Sequence, residues 1–135
     1  MADLQKLIED LWANRADLAV DDVDANQTIV DAITLLDTGE ARVAEVGPDG
    51  EVIVHQWLKQ AILLYFKQSQ MATMELGPFE YADKIPLKSG YERAGVRVVP
   101  GASARFGAFL DRGVVRMPSY VNIGARVGRN SMVYT

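Results

Sequence analysis

A chain of 135 residues, 49% hydrophobic and 24% charged, has material for one compact core and is too apolar for a disordered segment. It contains no cysteine, which excludes disulfides, thiolate metal sites and a cysteine nucleophile; no apolar run approaches the roughly 18–20 residues of a membrane helix. The net charge of −4 divides unevenly, with 6 lysines and arginines against 16 acids in residues 1–86 and 8 against 2 in residues 87–135.

Seven of those eight cations are arginine. A cationic half of this kind suits an anionic ligand, or the acidic half of a neighbouring subunit. The polar opening, Met1-Ala2-Asp3-Leu4, has no signal-peptide pattern, and a soluble cytoplasmic protein is expected by elimination.

Leu4, Leu7, Ile8, Leu11 and Trp12 fall on one face of an amphipathic helix. Asp21, Asp22 and Asp24 supply capping and turn chemistry for a second helix, whose buried face is Ile29, Ile33 and Leu36 and whose end is Gly39. The three aspartates lack the spacing and closing glutamate of a calcium loop. A hairpin follows, Ala41 to Val46 and Glu51 to Val54 about the turn Gly47-Pro48-Asp49-Gly50. A third helix over Gln56 to Gln68 is apolar almost all round and is expected to bury more than one side, with Trp57 in the core. His55, the only histidine, stands at its start, where a capping or core role is expected; one histidine builds no zinc site. Residues 69–90, broken by Gly77, Pro78, Pro86 and Gly90, read as irregular.

From Val99 the period becomes six. Gly101, Gly107, Gly113, Ser119, Ala125 and Ser131 form one series of small residues, and Ser103, Phe109, Val115, Val121, Val127 and Val133 form a second, two positions later. Val99, Met117 and Ile123 occupy a third inward-type position, which Arg105, Asp111 and Arg129 interrupt. This is the hexapeptide pattern of a parallel β-helix, a triangular prism with small residues at its corners and one aliphatic side chain per face on its axis. Three hexads make one turn, so residues 99–135 supply about two. The chain stops within the repeat, and either a partner covers that end or the chain is a fragment of a longer solenoid. The fold expected is α+β: an N-terminal helical and hairpin domain over residues 1–90, then the start of the β-helix over residues 91–135.

Residues between the inward positions of such a prism face out, and Arg105, Arg112, Arg116, Arg126 and Arg129 are read as solvated or intersubunit side chains. Only Phe106, Phe109 and Tyr120 interleave with them, and a pI of 4.9 argues against nucleic acid. Gly107, Gly113 and Gly124 form no phosphate-binding loop.

Several stretches together resemble the tetrahydrodipicolinate N-succinyltransferase family: Leu36-Asp37-Thr38-Gly39, Arg42-Val43-Ala44-Glu45, His55-Gln56-Trp57-Leu58-Lys59, Arg97-Val98-Val99-Pro100 and, closest, Met117-Pro118-Ser119-Tyr120-Val121-Asn122-Ile123-Gly124-Ala125. They occur in the family's order and span nearly the whole chain. The resemblance implies a left-handed β-helix and a homotrimer with active sites between neighbouring subunits. It implies succinyl transfer from succinyl-CoA, as co-substrate, to the amine of a ring-opened dicarboxylate in lysine biosynthesis, with no covalently bound cofactor, metal or membrane partner. Arg97 matches the family's arginine that contacts the substrate carboxylate, a role suited to a guanidinium fork.

Two departures qualify that expectation. The family's motif Met-Val-Asp-Thr-Trp reads Met132-Val133-Tyr134-Thr135 here, so Tyr134 stands where the resemblance implies a catalytic aspartate. A phenol is un-ionised at neutral pH and replaces a carboxylate neither as base nor as cation partner. The later coils, which carry the family's catalytic glutamate and coenzyme A groove, have no counterpart in the 135 residues. The expectation is therefore an acyltransferase relative inactive by itself, with no catalytic residue of its own and Arg97 as its substrate-binding residue. The alternatives are a non-catalytic oligomerising or scaffolding relative, and a module that binds a dicarboxylate without turning it over.

Overall fold

The computed structural model describes residues 1–134. Three helices form its first layer: α1 (Ala2–Ala13), α2 (Val23–Thr38) and α3 (Gln56–Gln68). The expected capping falls to Asp22, whose carboxylate accepts the Ala25 N–H at 3.0 Å, and α2 ends at Gly39 in the left-handed conformation. Ile8, Ile29, Ile33, Leu36, Trp57, Leu58, Ala61 and Leu64 are buried where the three helices meet. Helix α3 buries one face and half-buries its flanks, while Leu63 stays 52% exposed, so its burial is narrower than its composition suggests.

Between α2 and α3 lies the expected hairpin, shortened to β1 (Ala44–Val46) and β2 (Val52–Val54). Residues 69–90 are not irregular as expected. They contain a second antiparallel hairpin, β3 (Ala72–Leu76) and β4 (Phe79–Asp83). Gly77 takes φ 61°, which suits the first central position of a two-residue hairpin turn, and Pro78 brings its fixed negative φ to the second. A four-residue helix, α4 (Tyr91–Ala94), leads into the C-terminal part.

That part consists of two-residue strands: β5 (Arg97–Val98), β6 (Ser103–Ala104), β7 (Phe109–Leu110), β8 (Val115–Arg116), β9 (Tyr120–Val121), β10 (Arg126–Val127) and β11 (Met132–Val133). All their pairings are parallel, and each joins strands three apart: β5–β8–β11, β6–β9 and β7–β10. The chain thus returns to the same ladder after one circuit of three strands.

The return is uneven. Arg97 pairs with Val115, 18 residues on, but Ser103 pairs with Tyr120 and Phe109 with Arg126, 17 residues on. The unbroken six-residue series is therefore corrected. Ala104, Leu110 and Arg116 point inward, not Ser103, Phe109 and Val115. One residue then drops out, and Val121, Val127 and Val133 take the ladder positions beside them. The cause is local. Gly101, Gly107 and Gly113 turn their corners at φ of 99°, 95° and 83°, while the later corners use Gly124 (84°) and Asn130 (59°). By the same spacing the corner between them falls at Pro118, whose ring forbids a positive φ. The chain rounds it by a shorter path.

Gly107 needs its lack of a side chain twice over. Its φ is positive, and an added Cβ would lie 2.6 Å from the Ile123 side chain and 2.9 Å from that of Ile33. Gly107→Ala should therefore cost about 2–4 kcal/mol, from backbone strain plus overpacking. Gly50→Ala, at φ +83° with nothing within 4 Å, should cost only about 1 kcal/mol. Thermal denaturation of the two variants measures the difference, and equal losses would remove the crowding account.

Candidate functional site

Arg97 opens the three-stranded ladder. Its backbone N–H donates to Val114 O at 3.0 Å, while the neighbouring Val98 packs against the inner cluster. Alternation along the strand turns the Arg97 side chain outward, where it is exposed and makes no hydrogen bond or ion pair among the described residues. All five guanidinium N–H donors are available. Tyr134 follows the third strand of the same ladder and is 69% exposed. The ladder sets Met132 two rungs from Arg97, and Tyr134 follows two residues further along the chain, just past the strand.

Beside Arg97, α4 and the end of α2 enclose a cavity of ≈ 370 Å³ lined by Asp37, Lys88, Tyr91, Arg93, Val96 and Phe109, among others. Burial pushes the Tyr91 phenol above its ordinary value near 10; the Arg116 guanidinium opposes that rise and Asp37 adds to it. The Lys88 ammonium, 8% exposed, donates to Asp37 Oδ1 at 2.9 Å and to its carbonyl at 3.0 Å. The same Oδ1 accepts the Gly107 N–H at 2.9 Å. This carboxylate joins the helical layer to a corner of the strand region.

The other arginines differ from their solvated or intersubunit expectation in three places, one of them Arg126, which is half-buried, donates to the Gly39 carbonyl and lies over the Phe109 ring. Arg105 binds Asp83 at 3.0 and 3.3 Å and Asn122 at 3.2 Å within the chain, with Phe66 beneath it. Arg116 is fully buried. Its Nη2 donates to the carbonyls of Ser103 (2.9 Å) and Ser119 (2.8 Å) and, like Nε, to the Ser119 hydroxyl. No carboxylate pairs with it, Nη1 has no partner among the described residues, and burial lowers its pKa while Tyr91 opposes. Arg112 and Arg129 are exposed as expected.

His55 precedes α3, but its side chain neither caps the helix nor enters the core; its Nε2 lies 3.0 Å from Glu45 Oε2. Trp57 is in the core as expected. Among the described residues, no three His, Cys, Asp or Glu side chains cluster to hold a metal, and no helix is long and apolar enough to cross a membrane.

The architecture is that of an α+β chain, three helices and two hairpins set against short parallel strands that repeat. Residues 3–67 match the family described as tetrahydrodipicolinate N-succinyltransferase N-terminal. The chain is 47% identical over 133 residues to the 2,3,4,5-tetrahydropyridine-2,6-dicarboxylate N-succinyltransferase of Pseudoalteromonas translucida, covering 93% of this chain and 48% of that protein. It is 46% identical over 143 residues to the enzyme of that name from Acinetobacter baylyi (100% and 52%) and 51% over 132 residues to that of Bordetella pertussis (90% and 47%). The chain belongs to the tetrahydrodipicolinate N-succinyltransferase family and corresponds to its N-terminal part. It spans about half the length of the curated relatives it matches.

If the Asp37 carboxylate holds the two layers together, Asp37→Ala should destabilise the fold by about 3 kcal/mol, leaving a buried ammonium short of its counter-charge. Lys88→Met should cost less, because Asp37 would still accept from Gly107. Urea denaturation of both variants checks the order, and the reverse order would place the main contribution on the lysine.

Proposed function

We propose that this chain forms the amino-substrate side of a succinyl-CoA-dependent N-succinyltransferase of the diaminopimelate route to lysine, with Arg97 holding a carboxylate of the acyclic amino-dicarboxylate. In the reaction, the substrate amine attacks the thioester carbonyl, the carbon–sulfur bond breaks, coenzyme A leaves as the thiolate and the amine loses a proton. No covalent enzyme intermediate is required. The reading rests chiefly on one observation: Arg97 presents an unpaired, outward guanidinium in a chain 46–51% identical to enzymes of that name over 90–100% of its length.

Residues 91–135 are, in this reading, the first two coils of a left-handed parallel β-helix, following an N-terminal domain over residues 1–90. The parallel pairing of every third strand and the positive-φ corners support the coil, and its left hand is what the family resemblance implies. Assembly as a homotrimer would set Arg97 against a neighbouring coil. Acyl transfer needs the donor groove, which this reading assigns to the half of the relatives that the chain does not match. The 135 residues alone, with Tyr134 in the acid's place, are then inactive.

A second reading, an oligomerising or scaffolding relative, is favoured by the β3–β4 hairpin. Leu76, Phe79 and Tyr81 share one of its faces and are 47%, 63% and 47% exposed, whereas a two-stranded hairpin is barely stable without cover. Light scattering separates the two, since a single defined oligomer without substrate binding would favour scaffolding.

Titration with 2-aminopimelate by calorimetry tests the first. Saturable binding should weaken about tenfold or more in Arg97→Ala, as expected for losing a charge-assisted pair. Succinyl-CoA-dependent thiol release should be absent from the 135-residue chain. Undiminished binding by Arg97→Ala would sink the assignment of that residue, and turnover would sink the inactivity.

A further inference from the structure

A second cavity, of ≈ 310 Å³, lies where the segment after α2 meets the strand region. Leu36, Val43 and Phe109 form its apolar walls, with Gly124 and three alanines completing them, and two charged side chains enter it, Arg42 and Arg126. No acid lines it. Neither arginine forms an ion pair within 4 Å among the described residues. Glu40 and Glu45 line a neighbouring hollow that Arg42 also borders, and neither forms an ion pair with it within 4 Å among the described residues.

Arg126 is held in place. Its guanidinium carbon stands 4.3 Å from the centre of the Phe109 ring, and its Nη1 donates to the Gly39 carbonyl at 3.3 Å. The ring itself is fixed against Gly39, where an added Cβ would come within 2.7 Å of it. One guanidinium N–H is thus engaged, and the others donate to no acceptor among the described residues. Burial lowers the Arg126 pKa, the nearby charge of Arg42 lowers it further, and only Asp111 opposes. Two like charges facing one apolar-walled space repel each other unless an anion lies between them.

We propose that this cavity binds a small organic anion, with a carboxylate or phosphate head held by Arg42 and Arg126 and a short apolar segment against Leu36, Val43 and Phe109. The site goes beyond the substrate role given to Arg97, which does not line it. Bidentate donation from a pre-positioned fork suits both head groups, and the enclosed walls favour a ligand with some carbon over a bare inorganic ion.

Amide chemical shifts of Gly124 and Ala125, followed by NMR at low ionic strength, test the proposal with butyrate, butyl phosphate and inorganic phosphate. At least one butyl compound should give saturable shifts and bind more tightly than inorganic phosphate. Saturation by butyrate alone assigns the carboxylate head, and by butyl phosphate alone the phosphate. Affinity should fall about tenfold or more in Arg126→Gln and in Arg42→Gln and stay unchanged in Arg129→Gln. Arg42 is exposed at the rim, so its substitution keeps the test valid if Arg126→Gln fails to fold. Arg97→Ala should leave these shifts intact while weakening 2-aminopimelate binding, which separates this site from the one proposed above. No saturable shift with any probe up to about 10 mM, or shifts that survive both substitutions, overturns the site. Equal affinity for inorganic and butyl phosphate overturns its apolar half.

Discussion

The Asp37 carboxylate is the point through which the two halves of the molecule act on each other. It sits in the last turn of α2, a position where the helix dipole disfavours an acid, so its placement calls for compensation. That compensation comes from the far side of the interface: a nearly buried lysine ammonium, which also takes the Asp37 carbonyl, and the amide of a strand-region corner. A single oxygen accepting from both cannot be satisfied unless residues 37, 88 and 107 arrive together. Ile123 and Phe106 then reach the helical core, and the 86–88 segment runs along 104–106. The start of α4 and, through it, β5 with Arg97 is tethered to that junction, since both follow closely on Lys88.

Next to the slip at Pro118, the inward position 116 is filled by an arginine and not by an aliphatic side chain. Its Nη2 donates to the Ser103 and Ser119 carbonyls, and the Ser119 oxygen also accepts the Ser103 N–H at 2.9 Å, so the guanidinium adds to backbone pairing already in place. Its charge must be desolvated without a carboxylate. Four hydrogen bonds from Nε and Nη2 offset part of the desolvation, and the unpartnered Nη1 marks the part that is not offset.

Much of the fold is legible in the residues, and the failures have reasons. The helices follow from their apolar faces, with Asp22 and Gly39 as caps, because those signals are local. The six-residue period is legible too, but its phase slip is concealed. The residues after the later corners, Ala125 and Ser131, happen to be small, so the small-residue series runs on after the chain has lost a residue. Pro118 is the signal that could reveal it. The β3–β4 hairpin is written in the alternation of Met74, Leu76, Phe79 and Tyr81 with Glu75 and Glu80, but four helix-breaking residues nearby suggest loop instead. At the candidate site, the type of residue at 97 is legible, whereas its lack of a partner is not. Lys88 and Asp37, 51 positions apart, share no pattern a linear reading could detect.

The charge asymmetry shows what the fold does and does not resolve internally. Of the eight cations in residues 87–135, Lys88 and Arg105 pair with acids of the first half, Asp37 and Asp83. Arg116 is directed to carbonyls, and Arg126 to a carbonyl and an aromatic face. Arg93, Arg97, Arg112 and Arg129 are exposed with no carboxylate within 4 Å among the described residues. Local pairing therefore neutralises only two of the eight cations. An exposed guanidinium gains little from a distant acid at physiological salt, where screening acts over about 8 Å. The exposed guanidinium groups, Arg97 among them, therefore keep their N–H donors open to solvent and to anions, whereas Arg105, Arg116 and Arg126 are held by contacts within the fold.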